Sequence, residues 1–258
     1  MSFNLLDHFL LSQVFTFILI FCRIGSALMV LPAFSETYVS PRIRLITGFA
    51  MSALLTPLLQ DAIPTVPSNV GDMMLLIFAE ILVGVFLGLL VRMLLSAMHV
   101  TGTIIAAQSS LALASIFDFG QGGQSVIVSN FLSITALTLF LVLNLHHIVL
   151  AGLVDSYQLF QVGLFPIIED MNELIVRKAT DAFMVGTQLA APHLIASLIF
   201  YLLGGLLTRL MPNFQIFFVL LPAQIMISIL LLIMILSSMM MFYMTHLEDE
   251  LLNLTGSL

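Results

Sequence analysis

Four stretches of this chain, Phe9 to Leu31, Met73 to Met98, Phe183 to Met211 and Ile216 to Met244, stay apolar for longer than the ~20 residues a helix needs to cross ~30 Å of hydrocarbon at about 1.5 Å per residue. Water cannot be the main solvent of such a sequence. Of 258 residues, 60% are hydrophobic and 8% charged, against about 25% charged in an average soluble domain. The few charges cluster between the apolar runs rather than coating a surface. Two shorter runs, near 45–59 (ending in Thr56-Pro57) and 126–150 (carrying His146-His147), bring the count to about six hydrophobic helical segments, and either could be bent or re-entrant. The expected fold class is all-α: a polytopic integral membrane protein, with residues 1–258 forming one membrane domain.

The connectors set an orientation. Pro32 to Arg44 is a polar turn with two prolines, Glu36, Arg42 and Arg44, whereas Gln60 to Asp72 holds Pro64, Pro67, Asn69 and Gly71 but no Lys or Arg. Basic residues favour the cytoplasmic side, so the first connector is expected inside, the second outside, Arg92 and Arg209 at cytoplasmic ends, and both termini in the periplasm. Arg177 and Lys178 break that pattern among four carboxylates. From residue 164 to 181, Ile167, Ile168, Met171, Leu174 and Ile175 recur at helical spacing opposite Glu169, Asp170, Glu173, Arg177 and Lys178, which predicts an amphipathic helix lying on a membrane or a partner. Met1 to His8 lacks the basic start of a cleavable signal, so the first apolar run is read as a retained helix.

Net charge is −7, from 7 Lys and Arg against 14 Asp and Glu, and no basic stripe exists to track nucleic-acid phosphates. The single cysteine, Cys22, has no partner for an intramolecular disulfide. His146 and His147 point about 100° apart on a helix and cannot readily chelate one ion, and His193 has no Glu or His at ligand spacing. No Walker loop, nucleophile elbow or HExxH occurs. No catalytic, metal or cofactor residue is therefore assigned.

The most informative segment is Thr101 to Ser125, TGTIIAAQSSLALASIFDFGQGGQS. Its first part is rich in small residues that permit close helix packing. Its second part sets Phe117 and Phe119 directly before Gly120, Gln121, Gly122 and Gly123. This central loop, near 106–123, reads either as a plug or constriction lining a cavity or as an ordinary interhelical turn. Arg23, Glu80 and Arg92 stand inside or near the ends of spans, where a charge at the centre costs about 2.5 to 3.5 kcal/mol on insertion scales. Such residues usually face a bundle interior. Arg23 and Glu80 could pair, although Glu80 lies about a turn and a half nearer the outer end, while Arg92 could snorkel to the interface. Gly84 and Gly88 form a GxxxG that favours tight helix contact.

Several local signatures then fall in one order: Arg23 followed by Pro32; Pro41 with Arg44; TGTIIAAQ leading to FDFG; Asn144 with His146-His147; Ala191-Pro192; and Arg209 followed by Pro212 and Phe217. In this order and spacing the chain resembles, over almost its whole length, the FliR family of flagellar export-gate proteins and their injectisome relatives. The resemblance implies bent helical hairpins in a hetero-oligomeric gate of the bacterial inner membrane, at the flagellar basal body. It implies FliP-like and FliQ-like membrane subunits as partners, an FlhB-like export protein beside them, and unfolded export substrates. It also implies that the loop matching Ala106 to Gly122, with Gln108, Ser110, Phe117, Phe119 and the following Gly120 to Gly123, plugs the channel. Ser110 and Leu145 stand where the family usually has glycine, and Gln215 where Asn is usual.

Three rival classes make other demands. A small secondary transporter would be favoured by paired mid-membrane carboxylates, where Glu80 is nearly alone. A membrane enzyme needs a catalytic cluster that the sequence lacks. A structural membrane scaffold would tolerate replacement of the central loop.

Overall fold

The computed structural model describes residues 2–60, 63, 64, 66, 67, 69–109, 127–163, 165, 166, 168–211 and 217–257. Among the described residues the regular structure is seven helices: α1 (Ser2–Val30), α2 (Pro41–Leu59), α3 (Val70–Gln108), α4 (Ile127–Val142), α5 (Leu145–Leu159), α6 (Ile168–Leu210) and α7 (Phe217–Ser257). Helices satisfy their own backbone within the segment, which is what a lipid solvent demands. Five are long and apolar enough to cross a membrane, or up to six spans if α4 and α5 count together. The protein is an all-α polytopic membrane protein.

Three features of the helices have local causes: one bend that the sequence allowed, and two departures from the expected segments. The run near 126–150 is two helices, because Asn144 adopts the left-handed conformation (φ 60°), which Asn tolerates better than most residues and which ends a helix. The amphipathic segment 164–181 is not separate: from Ile168 it forms the first turns of α6, which runs unbroken for 43 residues because no Gly or Pro punctuates it before Gly186. Met171 is buried there while Glu169, Asp170, Glu173 and Arg177 are exposed, but Ile168 is exposed too, and Lys178 of the charged face is half-buried against Glu250. The third apolar run extends to Gln108, giving α3 a length of 39 residues.

The chain divides into two compact units: residues 1–93, 143–178 and 249–258, and residues 94–142 and 179–248. In the first, α1 and α2 form an antiparallel hairpin. Ser40 caps α2, its hydroxyl accepting from the Ile43 amide at 3.4 Å, with Pro41 in the first turn. Arg44 Nη2 donates back to the carbonyls of Glu36 (2.5 Å) and Val39 (3.1 Å), tying the connector to the helix it precedes. Farther along the hairpin, Phe17 meets Phe49 edge-on at 4.9 Å, and Gln13 Nε2 donates to Gln60 Oε1 at 2.9 Å. The third helix lies against α1 with almost no side chain between them: a Cβ on Gly84 would sit 2.1 Å from Ser26 Oγ and 2.2 Å from the Arg23 carbonyl, and one on Gly88 2.9 Å from the Ala27 carbonyl. Contacts climb both helices together, so α1 and α3 run parallel here.

The second unit uses the same device. A Cβ on Gly102 of α3 would lie 2.2 Å from Ser129 Cα of α4, and one on Gly186 of α6 would lie 2.8 Å from the Ala97 carbonyl. Thr101 Oγ1 donates to the carbonyls of Ala97 (2.9 Å) and Gly186 (3.1 Å), and the buried Tyr243 Oη donates to the Leu94 carbonyl at 3.0 Å. Within this unit α6 and α7 pass antiparallel, His193 meeting Ser228 and Tyr201 meeting Gln224.

Overpacking usually costs about 1 to 3 kcal/mol, and the clash at Gly84 is with backbone that cannot swing away. Gly84→Val should lower the thermal unfolding midpoint in detergent by several degrees or abolish recovery of folded protein. Gly205→Ala, where nothing among the described residues lies within 4 Å of the new methyl, should leave the midpoint unchanged or raise it, since Ala favours a helix over Gly by about 1 kcal/mol. Equal midpoints for the two variants would contradict the backbone contact.

Candidate functional site: a buried charge knot and the root of the central loop

Arg23, at 1% exposure, is the largest fully buried side chain of the chain's described core. Its guanidinium carries five N–H donors and can lose none of its charge, and every donor has a partner. Nε and Nη2 donate to Glu80 Oε2 and Oε1 at 2.6 and 3.0 Å, a fork on a carboxylate. Nη1 reaches Ser156 O and Oγ at 3.2 and 3.3 Å, and Nη2 also reaches Phe160 O at 2.8 Å. Those carbonyls lie at the C-terminal end of α5, where a cation is favoured by the helix dipole. The Arg23 Cζ atom also sits 4.0 Å from the centre of the Tyr157 ring, a cation–π contact of the desolvated kind.

The register explains how Arg23 reaches Glu80. Gly84 is level with the Arg23 backbone, and side chains on a helix lean toward its N-terminus. Arg23 therefore reaches down α1 by about the one turn that separates Gly84 from Glu80. The absence of a Cβ at Gly84 and Gly88 lets the two backbones come close enough for the fork to close. All the members of this knot belong to the first unit, where Lys178 Nζ also forms an ion pair with Glu250.

The second cluster surrounds Gln108, the last residue of α3. Gln224 Nε2 donates to the Gln108 carbonyl at 2.6 Å and to Tyr201 Oη at 3.1 Å. Ser197 Oγ lies 2.8 Å from Gln108 Oε1 and 2.9 Å from the Leu194 carbonyl, so its one proton is shared between them. Close by, His193 Nε2 lies 3.3 Å from the Ser228 carbonyl, while the buried Nδ1 has no partner among the described residues and the ring borders a cavity of about 20 Å³, room for about one water.

Of the residues singled out in the sequence, the structure brings together Arg23, Glu80, Gly84 and Gly88. Arg92 and Arg209 are exposed and join neither cluster. Gln108 is placed, whereas Ser110, Phe117, Phe119, Gly120, Gln121, Gly122 and Gly123 lie outside the described residues. Among the described residues no group of three His, Cys, Asp or Glu side chains is arranged as metal ligands. Sequence reasoning missed Ser156, Tyr157, Ser197 and Gln224. For Gln224 a signal existed, an amide inside an apolar run; for the others none did, because serine and tyrosine are unremarkable in spans.

Residues 14–249 match the family described as bacterial export proteins, family 1. The chain is 34% identical over 242 residues to the flagellar biosynthetic protein FliR of Caulobacter vibrioides, covering 94% of this chain and 96% of that one. It is 32% identical to FliR of Bacillus subtilis over 86% of each chain, and 30% identical to FliR of Pectobacterium carotovorum over 100% of this chain and 97% of the other.

Removing one partner of a buried ion pair leaves an uncompensated charge and costs about 3–5 kcal/mol, while replacing both by apolar groups of similar size is often near neutral. Arg23→Met and Glu80→Leu should each strongly reduce the amount of folded protein recovered from membranes, and the double variant should recover more than either. A double variant worse than both singles would mean the pair is not the unit that matters.

Proposed function

This chain belongs to the FliR family of flagellar export proteins, and on that premise we propose that it is a gate subunit of the flagellar export machinery in the inner membrane. It lends helices to the channel that conducts unfolded flagellar proteins, beside FliP-like and FliQ-like subunits and an FlhB-like protein, and its central loop closes the lumen until a substrate displaces it. The observation that carries this reading is likeness to FliR proteins from one end of the chain to the other. Two structural features support it. Glu80, the carboxylate a small secondary transporter would use, is fully engaged with Arg23 and is not free to bind a coupling ion. Gln108, the last residue of α3, is held by Ser197 of α6 and Gln224 of α7.

The mechanism is passive. Apolar constrictions hold back ions by dewetting, and two aromatic rings on a glycine-rich segment can enter a lumen that rigid helices alone would leave open. Deleting residues 117–123, or replacing Phe117 and Phe119 together by Ser, should leave subunit association intact and make the membrane leaky to small solutes. A scaffold predicts no leak, and a simple turn predicts misassembly, so solute uptake and co-purification on the same variant separate the three.

Orientation has its own test. With Arg42 and Arg44 on the cytoplasmic side, a cysteine at position 44 should react with a membrane-impermeant thiol reagent only from the cytoplasm, and one at Asn69 only from the periplasm. The reverse pattern inverts the topology.

A further inference from the structure

The second helix is 19 residues long, about 28 Å at about 1.5 Å per residue, which matches the ~30 Å of hydrocarbon that a span has to cross. Its second residue, Arg42, therefore stands at the level where lipid phosphates begin. One face of this helix is spoken for. Gly48, Ser52 and Thr56 recur every four residues and are buried, and a Cβ on Gly48 would lie 3.6 Å from Leu28 Cδ1 and 3.7 Å from Gly25 Cα of α1. Another face is not. Arg42, Ile46, Phe49 and Ala53 recur at i, i+4, i+7 and i+11, and all four are exposed. Ile46 is 69% and Phe49 58% exposed, so no described element covers the stripe, although Phe17 of α1 steadies the Phe49 ring from one side at 4.9 Å. From Arg42 to Ala53 it runs about 16 Å, roughly the depth of one leaflet.

The charge at the head of that stripe is uncompensated. Arg44 is tied to the carbonyls of Glu36 and Val39, and Arg42 is exposed. Among the described residues neither guanidinium has a carboxylate within ion-pairing distance; the ion pairs there belong to Arg23 and Lys178. Helix side chains lean toward the N-terminus, so Arg42 reaches out of the apolar stripe toward the interface rather than down it. An occupant that completes this face needs an anion at one end and about 16 Å of hydrocarbon below it. A protein partner would have to bring an acidic group to the edge of an apolar contact, whereas a bilayer supplies both parts in one molecule.

We propose that the α2 face headed by Arg42 binds one anionic phospholipid, with the phosphate on the Arg42 guanidinium and an acyl chain along Ile46, Phe49 and Ala53. Arg44 acts through the turn: by holding the connector's carbonyls it fixes where α2 begins, and it adds a second positive charge near the first. Tyr38, 69% exposed in the same connector, supplies an amphipathic ring of the kind that settles at headgroup level.

Native mass spectrometry of the whole chain in mild detergent, titrated with dioleoyl phosphatidylglycerol or dioleoyl phosphatidylcholine, reads the site. Arg42→Gln should weaken phosphatidylglycerol binding about fivefold, the attraction that one arginine adds beside an anionic lipid surface, and should leave the weaker phosphatidylcholine binding unchanged. Arg42→Lys keeps the charge and should match the parent. Arg177→Gln makes the same change in net charge at an exposed arginine among carboxylates and should also match the parent. Equal losses in Arg42→Gln and Arg177→Gln would reduce the effect to overall charge and overturn the site, as would full binding by Arg42→Gln. A large molar excess of inorganic phosphate should not displace phosphatidylglycerol; displacement would mean that the site takes the free anion and that the acyl chain is irrelevant. In cells, a photoreactive benzoylphenylalanine at position 46 separates lipid from protein. Irradiation should yield a phospholipid adduct, and a polypeptide adduct in its place would mean that a partner subunit covers this face and would overturn the proposal.

Discussion

A guanidinium cannot be left half satisfied in a solvent that offers no hydrogen bonds, and the packing of the first unit follows from that requirement at Arg23. Its five donors draw in α3 through Glu80 and the end of α5 through Ser156 and Phe160. Three helices far apart in sequence are thereby brought to one point. Apolar side chains alone would not specify it, because lipid tails are as apolar as leucine and exert no hydrophobic pull between helices. What selects one arrangement in a membrane is a polar group with few acceptable partners, together with surfaces flat enough to let those partners approach.

The glycines supply the flatness. Gly84 and Gly88 lie under the backbone of α1, and Gly102 and Gly186 serve their own helix pairs in the same way. Beside Gly84 the Ser26 hydroxyl donates to the Arg23 carbonyl, and beside Gly102 the Thr101 hydroxyl donates to the Gly186 carbonyl. Close approach and polar bonding thus work together: the first shortens the distance, and the second makes the shortened distance specific. Gln108 extends the pattern from a helix flank to a helix end.

The sequence made the helical membrane character plain, since apolar runs of that length have no other economical fate. It also exposed Arg23 and Glu80, because isolated charges stand out against such a background, and the GxxxG at Gly84. It did not reveal that Gly84 and Gly88 serve the very pair that Arg23 and Glu80 form, which depends on the relative register of α1 and α3. The position of the break at Asn144, within a run that the sequence allowed to be bent, and the fusion of residues 168–181 to the next span were hidden for opposite reasons. One backbone angle at a single residue creates the first, and the second follows from the lack of any stop signal where a change of polarity suggested one. Ser197 and Gln224 were invisible as a pair because they lie 27 positions apart and meet only once α6 and α7 have folded back on one another.

The buried arginine also imposes an order in time. Arg23 is made 57 residues before Glu80 and 133 before Ser156, so at about 5–20 residues per second its counter-ion is roughly 3 to 11 s away during synthesis. Through that interval α1 is a nascent helix with a permanent positive charge whose native counter-ion has not yet been made. Val30 ends α1 only seven residues beyond Arg23, near enough for the long side chain to snorkel toward the interface while it waits. Arrival of α3 then draws the charge inward, and arrival of α5 closes the last of its donors. Assembly of the first unit thus has an order built into it, in which α3 and then α5 meet the charge that α1 carries.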